Sequence, residues 1–336
     1  MSRRAVLLLA GFIALTGLTV NCTAPAPAPT LTVYSGRGEA LVQPVIDKFE
    51  AATGTIVNVR YGGSAQMAAT ILDEGDQTPA DVYYGQDAGA LGSLANEKRL
   101  RELPLSLLNR VDARFRAADG RWIGTSGRAR VLAYNTSVLT AEELPDTVVD
   151  LSDPRWKGRV GWAPTNGSFQ TFVTAMRVVD GEEATRDWLQ GMVRNETKVY
   201  RDNTPLFEAV LSGEIDLGLT NHYYLFRFLE GTSTEVPVRN YSPRGGGVGA
   251  LVNIAGAGIV DTSPHPETAE RFIEYLLSGE AQTYFAGKTF EYPLADGVAT
   301  HSLITPLSEI ETPDIDLSEL DDIEGTLLLL QEVGAL

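Results

Sequence analysis

Two consecutive tyrosines, Tyr223 and Tyr224, follow the dipeptide Asn221-His222 after a short apolar run. A phenolate is a hard anionic oxygen donor, and a bound cation can deprotonate a tyrosine well below its free pKa of about 10. Because neighbouring side chains of a strand point to opposite faces, both rings can reach one ion only where the backbone turns. The pair therefore indicates a site for a hard cation such as Fe(III). A second pair at 83–84 lies within a predicted strand, and a structural role explains a bare pair more readily.

The tripeptide Asn166-Gly167-Ser168 precedes a helical pattern that starts at Phe169. Exposed N–H groups at the start of a helix attract anions, and glycine beside small polar residues leaves room for one. The tripeptide therefore predicts an anion cradle. An ordinary helix cap explains the same residues equally well.

Three arginines and one histidine adjoin these segments. Arg37, Arg128 and Arg130 could place positive charge beside an anion, or they could form surface ion pairs. His222 either faces the site or caps the strand before the tyrosines. The sequence does not choose between these readings.

Segments with strand and helix patterns alternate along the chain. The predicted strands are 31–34, 56–61, 80–84, 130–134, 159–163 and 215–219, and the predicted helices include 39–52, 65–74, 87–97, 169–179, 206–212, 267–277 and 319–331. Such alternation predicts an α/β fold with a largely parallel sheet. Ligands of open α/β sheets bind at the carboxyl ends of the strands. That rule selects the loops 35–39, 85–87, 165–168 and 221–224.

The amino end has the pattern of an export signal. Positive charge at Arg3 and Arg4 precedes an apolar run over 5–20, which is short for a spanning helix and typical of a signal peptide. We expect a signal peptide over 1–21. The sole cysteine, Cys22, follows in a segment that resembles a bacterial lipobox, although Asn21 departs from that pattern. Lipid attachment at Cys22 is the favoured interpretation, and cleavage elsewhere is the alternative.

Alternating alanine and proline follow Cys22, so residues 22–30 are predicted to form a stiff, extended tether. The remaining length suits two lobes, each with its own core. Net charge is −17, and loss of Arg3 and Arg4 with the signal takes it to −19. Such an acidic chain argues against binding to nucleic acid or to an anionic membrane, so membrane contact is expected only through a lipid anchor.

Several segments resemble the bacterial periplasmic ferric-ion-binding proteins in order and spacing. They are 31–36, 79–84, 126–131, 164–169, 213–216, 221–224, 249–252 and 291–294. The Asn-x-Tyr-Tyr element that ends at Tyr224 is the most specific of them. The resemblance covers the chain from about residue 31 to the carboxyl end.

The resemblance implies a two-lobed α/β fold of the type II periplasmic-binding-protein class, with a mixed, mostly parallel sheet in each lobe and crossing hinge strands. Lobe one would hold 31–128 and 254–304, and lobe two 129–253 and 305–336. It also implies a monomer in the periplasm or at the outer face of the cytoplasmic membrane. There it would deliver ferric iron to the permease and ATPase of an ABC importer.

Carried to this sequence, the resemblance makes Tyr223 and Tyr224 the iron ligands. It assigns a synergistic phosphate or carbonate to Asn166, Gly167, Ser168, Asn203 and Asn221. Two positions depart from the family pattern: Gly38 replaces a histidine, and Gln86 replaces a glutamate. Extra donors could come from Glu39, Asp87 or Gln86, although Glu39 and Asp87 also suit helix N-termini.

These departures leave the cargo open among iron with more exogenous ligands, a ferric chelate, and a metal-free organic or phosphorus oxyanion. An enzyme on the same fold is the least favoured function. The sequence contains no nucleophile–base set and no zinc, phosphate-loop or dinucleotide motif.

Overall fold

The computed structural model describes residues 28–231 and 235–336. The predicted signal peptide, Cys22 and most of the predicted tether lie outside the described residues. The strands are β1 Thr30–Ser35, β2 Ile56–Tyr61, β3 Val82–Gly85, β4 Ile123–Asn135, β5 Val160–Trp162, β6 Lys198–Val199, β7 Leu217–Asn221, β8 Val238–Tyr241, β9 Val252–Ile259 and β10 Tyr292–Pro293.

Helices alternate with these strands, as the sequence pattern predicts. They are α1 Glu39–Thr53, α2 Ser64–Glu74, α3 Ala88–Asn96, α4 Leu105–Leu108, α5 Gly167–Val179, α6 Glu182–Arg194, α7 Asn203–Ser212, α8 Tyr223–Glu230, α9 Pro266–Leu276, α10 Gly279–Tyr284 and α11 Ile323–Glu332. Helix α1 shows the physical basis. Its buried residues Val42, Val45, Ile46 and Phe49 recur at helical spacing, and Gly54 ends it with a positive φ of 71°.

The strands form a mixed sheet in the order β2-β1-β3-β9-β4-β7-β5-β6, and β8 and β10 also pair with β4. Strand β1 is parallel to β2 and β3, and β5 is parallel to β6 and β7. Strands β4 and β9 run antiparallel to their neighbours. The sheet is therefore parallel at both ends and antiparallel in the middle.

Strand β4 is shared by the two parts of the sheet. Its first half pairs with β9 up to Ala129, which lies opposite Val252. Its second half pairs with β7 from Arg130, which lies opposite Asn221. The change of partner between two consecutive residues makes β4 a crossing strand.

The carboxyl-terminal segment contacts both sides of the molecule. A 3₁₀ turn at Leu317–Glu319 packs on α3, where a Cβ at Gly92 would lie 2.9 Å from the Ser318 carbonyl. Helix α11 then packs on α5. The predicted start of this helix at residue 319 is wrong, because Asp322 caps it and the preceding turn is separate.

A buried ion pair joins the loop after β1 to the segment before β10. The Arg37 guanidinium lies 3.0 Å from both carboxylate oxygens of Glu291, and Ser126 donates to the same carboxylate at 2.6 Å. Burial alone would raise the pKa of Glu291, but the two arginines nearby, Arg37 and Arg128, and the Ser126 hydrogen bond outweigh burial and lower it. Arg37 is thus an interior residue, not a surface one.

Replacement of the carboxylate by Glu291→Gln should lower the free energy of unfolding at pH 7 by about 3–5 kcal/mol, because it leaves Arg37 buried without a counter-charge. A lowered folded-state pKa stabilises the fold above the unfolded pKa of about 4.3, and that stabilisation is lost as pH falls through the folded value. The difference between wild type and variant should therefore shrink under acid.

Urea unfolding at several pH values measures this effect. Glu230→Gln is a matched control, because its partner Lys288 is solvent-exposed and 3.5 Å away, and such pairs contribute about 1 kcal/mol or less. Equal stability of Glu291→Gln and wild type at pH 7 would show that the ion pair is not a structural anchor.

Candidate metal- and anion-binding site

The tyrosine pair lies at the junction of β7 and α8. Asn221 ends the strand, His222 already has helical backbone angles (φ −57°, ψ −35°), and Tyr223 is the first residue of the helix. This junction supplies the turn that two consecutive tyrosines need to reach one ion. The two rings stack with centroids 4.5 Å apart and planes inclined by 27°, so they project on the same side and not on opposite faces.

Burial shapes the acidity of this pair. Tyr223 is only 6% exposed and Tyr224 is half-buried. Burial raises the pKa of Tyr224 well above its ordinary value; the adjacent Tyr223 and the charge of Asp202 raise it further, against an opposing hydrogen bond from Asn203. Tyr224 is therefore a neutral phenol at physiological pH. A cation bound here must displace its proton, as a strongly charged ion can.

The other tyrosine pair has a structural role. Tyr83 and Tyr84 are fully buried in β3, and the Tyr83 hydroxyl donates to the Ser64 carbonyl at 2.9 Å. Neighbouring side chains of this strand face opposite ways. The comparison shows that the strand–helix junction, and not the dipeptide itself, brings two phenols together.

His222 fixes the junction and is not free to bind a metal. Its Nδ1 accepts from the Ala129 N–H at 3.1 Å, and its Nε2 lies 2.7 Å from the Phe290 carbonyl, to which it donates. Burial lowers the pKa of His222 to about 4, so the ring is neutral at physiological pH. Both nitrogens are committed to the backbone, which ties the tyrosine junction to β4 and to the segment before β10.

Three of the predicted anion-binding residues form one hydrogen-bonded cluster. The Asn166 Oδ1 caps α5 by accepting from the Ser168 N–H at 3.0 Å and from its hydroxyl at 2.6 Å. Asn203 Nδ2 lies 3.3 Å from both Asn166 Oδ1 and Ser168 Oγ. A Cβ at Gly167 would meet nothing within 4 Å, so the helix start is unobstructed. Asn203 is fully buried, yet its Oδ1 finds no partner among residues 28–231 and 235–336.

Arg130 joins this cluster to the strand of the tyrosines. Its Nη1 lies 3.3 Å from both Ser168 Oγ and Asn221 Oδ1, and its Nη2 donates to the Leu219 carbonyl at 3.0 Å. The guanidinium lies over the rings of Phe169 and Phe172 at 5.6 and 5.2 Å. Arg130 is therefore a component of the site, although the sequence left its role open.

The Arg130 charge is buried and uncompensated. It is 2% exposed, and no carboxylate in the described parts of the chain forms an ion pair with it. Burial lowers its pKa to about 10, against the opposing effect of the two tyrosines. A buried cation without a counter-charge is costly. An anion, including the phenolates themselves, would relieve that cost.

The predicted extra donors lie in separate environments. Glu39 is exposed in the first turn of α1, Asp87 caps α3 by accepting from the Ala90 N–H at 3.0 Å, and the Gln86 N–H donates to Ser64 Oγ at 3.0 Å. Gly38 is surrounded by open space. Within the described ranges, no three His, Cys, Asp or Glu residues cluster as metal ligands would. Coordination by Glu39, Gln86 or Asp87 stays a prediction.

Comparison with known proteins places the chain in a family. The model of a bacterial extracellular solute-binding protein matches residues 73–307. The chain belongs to this family. It is 34% identical over 321 residues to the "Major ferric iron-binding protein" of Neisseria meningitidis serogroup B, with 94% of this chain and 97% of that protein covered. It is 32% identical to the "Fe(3+)-binding periplasmic protein" of Serratia marcescens, over 91% and 90% of the two chains.

Among solved structures, the chain is similar to iron-bound HitA from Pseudomonas aeruginosa. The TM-score is 0.85 at 34% identity, with 91% of this chain and 99% of that one covered. These similarities confirm the predicted two-lobed α/β periplasmic-binding-protein fold and support an exported protein. In the part of the chain with described coordinates, no helix combines the length and apolar character that a membrane crossing requires.

The uncompensated charge of Arg130 predicts that an anion stabilises the folded protein even when no metal is bound. Phosphate at about 100 times its Kd should stabilise the folded protein by about 2.7 kcal/mol, which raises the Tm by roughly 4 °C for a chain of this size. Arg130→Met should abolish most of the shift, because it removes the buried charge beside the α5 cap.

Thermal unfolding with and without phosphate measures the shift. Arg159→Met serves as the control. Arg159 lies outside this cluster, and its Nε already forms an ion pair with Asp216 at a distance of 2.5 Å. A phosphate shift that survives in Arg130→Met would mean that the anion binds elsewhere.

Proposed function

We propose that this chain captures ferric iron, together with a phosphate or carbonate anion, in the cleft between its lobes and delivers it to the permease and ATPase of an ABC importer. The observation that carries the proposal is the stacked pair of Tyr223 and Tyr224 beside the buried cation Arg130. The names of the similar proteins, which are ferric iron-binding and periplasmic, support it.

Charge balance explains why the pair and the anion cluster lie side by side. Two phenolates leave one positive charge on Fe(III), and Arg130 adds a second, so a carbonate or hydrogenphosphate dianion balances the two together. Arg130 and the free start of α5 at Gly167 hold that anion against the metal. Asn166, Ser168, Asn203 and Asn221 orient it through hydrogen bonds. The anion, water, or one of Glu39, Asp87 and Gln86 completes the coordination.

The lobes would close on this cargo by a hinge motion. We assign 31–128 with 254–304 to lobe one and 129–253 with 305–336 to lobe two. The change of partner along β4, between Ala129 and Arg130, supports the first boundary. The crossing strand β4 and the start of β9, where the second boundary falls, would then carry the hinge.

Export completes the proposed role. The signal peptide at 1–21 directs the chain across the membrane, and residues 22–30 act as a tether if Cys22 carries lipid. The mature protein works as a monomeric binding protein, not as an enzyme.

A ferric titration of the mature protein, followed by visible absorption, tests the metal site. We expect a saturable phenolate-to-iron charge-transfer band at one iron per chain, strengthened by phosphate or carbonate. Tyr223→Phe and Tyr224→Phe should each abolish or strongly weaken the band, because each removes one anionic donor. Tyr275→Phe is the control, since Tyr275 is a half-buried tyrosine on α9 that packs against Phe49 of α1.

The absence of a band at every anion concentration, with the fold intact by circular dichroism, would contradict the ferric proposal. Saturable binding of an oxyanion in that case would favour the metal-free organic or phosphorus oxyanion solute.

A further inference from the structure

Phe290, in the segment before β10, has a backbone conformation that large residues rarely adopt. Its φ is 56° and its ψ is 31°, in the left-handed region, and the residue is only 4% exposed. In the described parts of the chain, two other non-glycine residues have a positive φ, Lys98 and Glu196, and both are exposed just beyond the ends of α3 and α6. Glycine or asparagine usually takes such a position. A strained backbone persists where surrounding contacts hold it, and it is common near functional sites.

The contacts of this segment follow one face of α8, the helix that begins with the two tyrosines. The Phe290 carbonyl lies 2.7 Å from His222 Nε2, directly before the helix. The Phe290 ring stacks on Phe226, with centroids 6.0 Å apart and planes inclined by 28°. Near the end of the helix, Lys288 Nζ lies 3.5 Å from Glu230 Oε1. The three partners on the helix side are spaced four residues apart, so they share one face.

The hydrogen bond between His222 and Phe290 has a fixed direction. The His222 Nδ1 accepts from the Ala129 N–H at 3.1 Å, so the neutral ring carries its proton on Nε2 and donates it to the Phe290 carbonyl. Because the ψ angle of a residue sets the direction of its own carbonyl, an ordinary backbone conformation at Phe290 would turn this acceptor away. The strained conformation is thus coupled to the histidine that precedes the tyrosines.

The segment and the helix are anchored in different parts of the sheet. Tyr292 of β10 pairs with Gly127 in the first half of β4, whereas α8 follows β7, which pairs with the second half of β4. Glu291, the neighbour of Phe290, is held by the buried ion pair with Arg37. Phe290 therefore contacts the tyrosine helix from an element whose own position does not depend on that helix.

We propose that Phe290 is a positioning residue for the iron-binding tyrosines and acts through His222 and Phe226. The inference rests on the proposed function, because it takes Tyr223 and Tyr224 as the iron ligands. The hydrogen bond from His222 fixes where the helix begins, and the Phe226 contact fixes its rotation about its own axis. Loss of the ring contact should shift the two phenol oxygens relative to each other while both remain in the site.

Phe290→Leu in the full mature chain tests the proposal, with ferric iron and phosphate as the probe. Leucine is apolar and buried readily, but it has no ring to stack on Phe226. The variant should still bind one iron per chain, because both phenols remain. The maximum of its charge-transfer band should shift, and iron removal by EDTA should be about three- to tenfold faster, because a stacked aromatic contact no longer restrains the helix.

Two further variants separate positioning from packing. Phe115→Leu is the matched control, because Phe115 is also 4% exposed but lies in the 3₁₀ turn Ala113–Phe115; it should lower the Tm and leave the band and the rate of iron removal unchanged. Phe226→Leu removes the other ring of the stacked pair and should reproduce the effect of Phe290→Leu. The double variant should be no faster than either single variant, because both changes delete one contact.

The outcomes distinguish this inference from the proposed function. A wild-type band and removal rate in Phe290→Leu, with only a lowered Tm, would make Phe290 a packing residue and would overturn the inference while iron binding stands. Equal acceleration in Phe115→Leu would overturn it as well, because the effect would then follow from lost stability alone. No charge-transfer band in the wild-type protein would overturn the proposed function itself.

Discussion

The crossing of β4 between the two parts of the sheet is the constraint on which the site depends. Ala129, the last residue of β4 paired with β9, donates its N–H to His222. That bond fixes the turn from which the two tyrosines project. Arg128 and Arg130 flank Ala129 and lie on one face of the strand, because side chains two residues apart share a face. The tyrosine turn and the uncompensated charge of Arg130 are thus positioned by consecutive residues of one strand.

The buried charge of Arg130 carries an electrostatic cost that a bound anion can relieve. Arg130 is buried without a carboxylate partner, and the pKa of Tyr224 is raised by burial. In the interior of a protein, a charge such as that of Arg130 destabilises the fold unless an opposite charge compensates it, whereas the raised pKa of Tyr224 keeps that phenol neutral. The Arg37–Glu291 pair shows the alternative, since there the chain supplies its own counter-charge. The difference supports the proposed binding role of Arg130, whereas Arg37 has a structural partner within the chain.

Local sequence patterns predicted most helices, most strands and the tyrosine junction, because periodicity and turn residues are encoded locally. The first half of β4 was not predicted, since Gly124–Arg128 has the polar, glycine-rich composition of a loop. Its burial comes from pairing with β9, which is distant in sequence. The role of Arg130 was hidden for the same reason: it depends on its position opposite Asn221 across β4 and β7. The extra donors Glu39, Gln86 and Asp87 remain predictions.

Resonance Raman spectroscopy of the iron-loaded protein, excited in the visible band, tests the central claim most directly. If both phenols coordinate iron beside Arg130, ring modes of iron-bound tyrosinate will dominate the spectrum and will weaken in a single Tyr→Phe variant of the pair. Tightly bound iron with no tyrosinate modes would contradict the account, because it would place the metal on ligands other than Tyr223 and Tyr224.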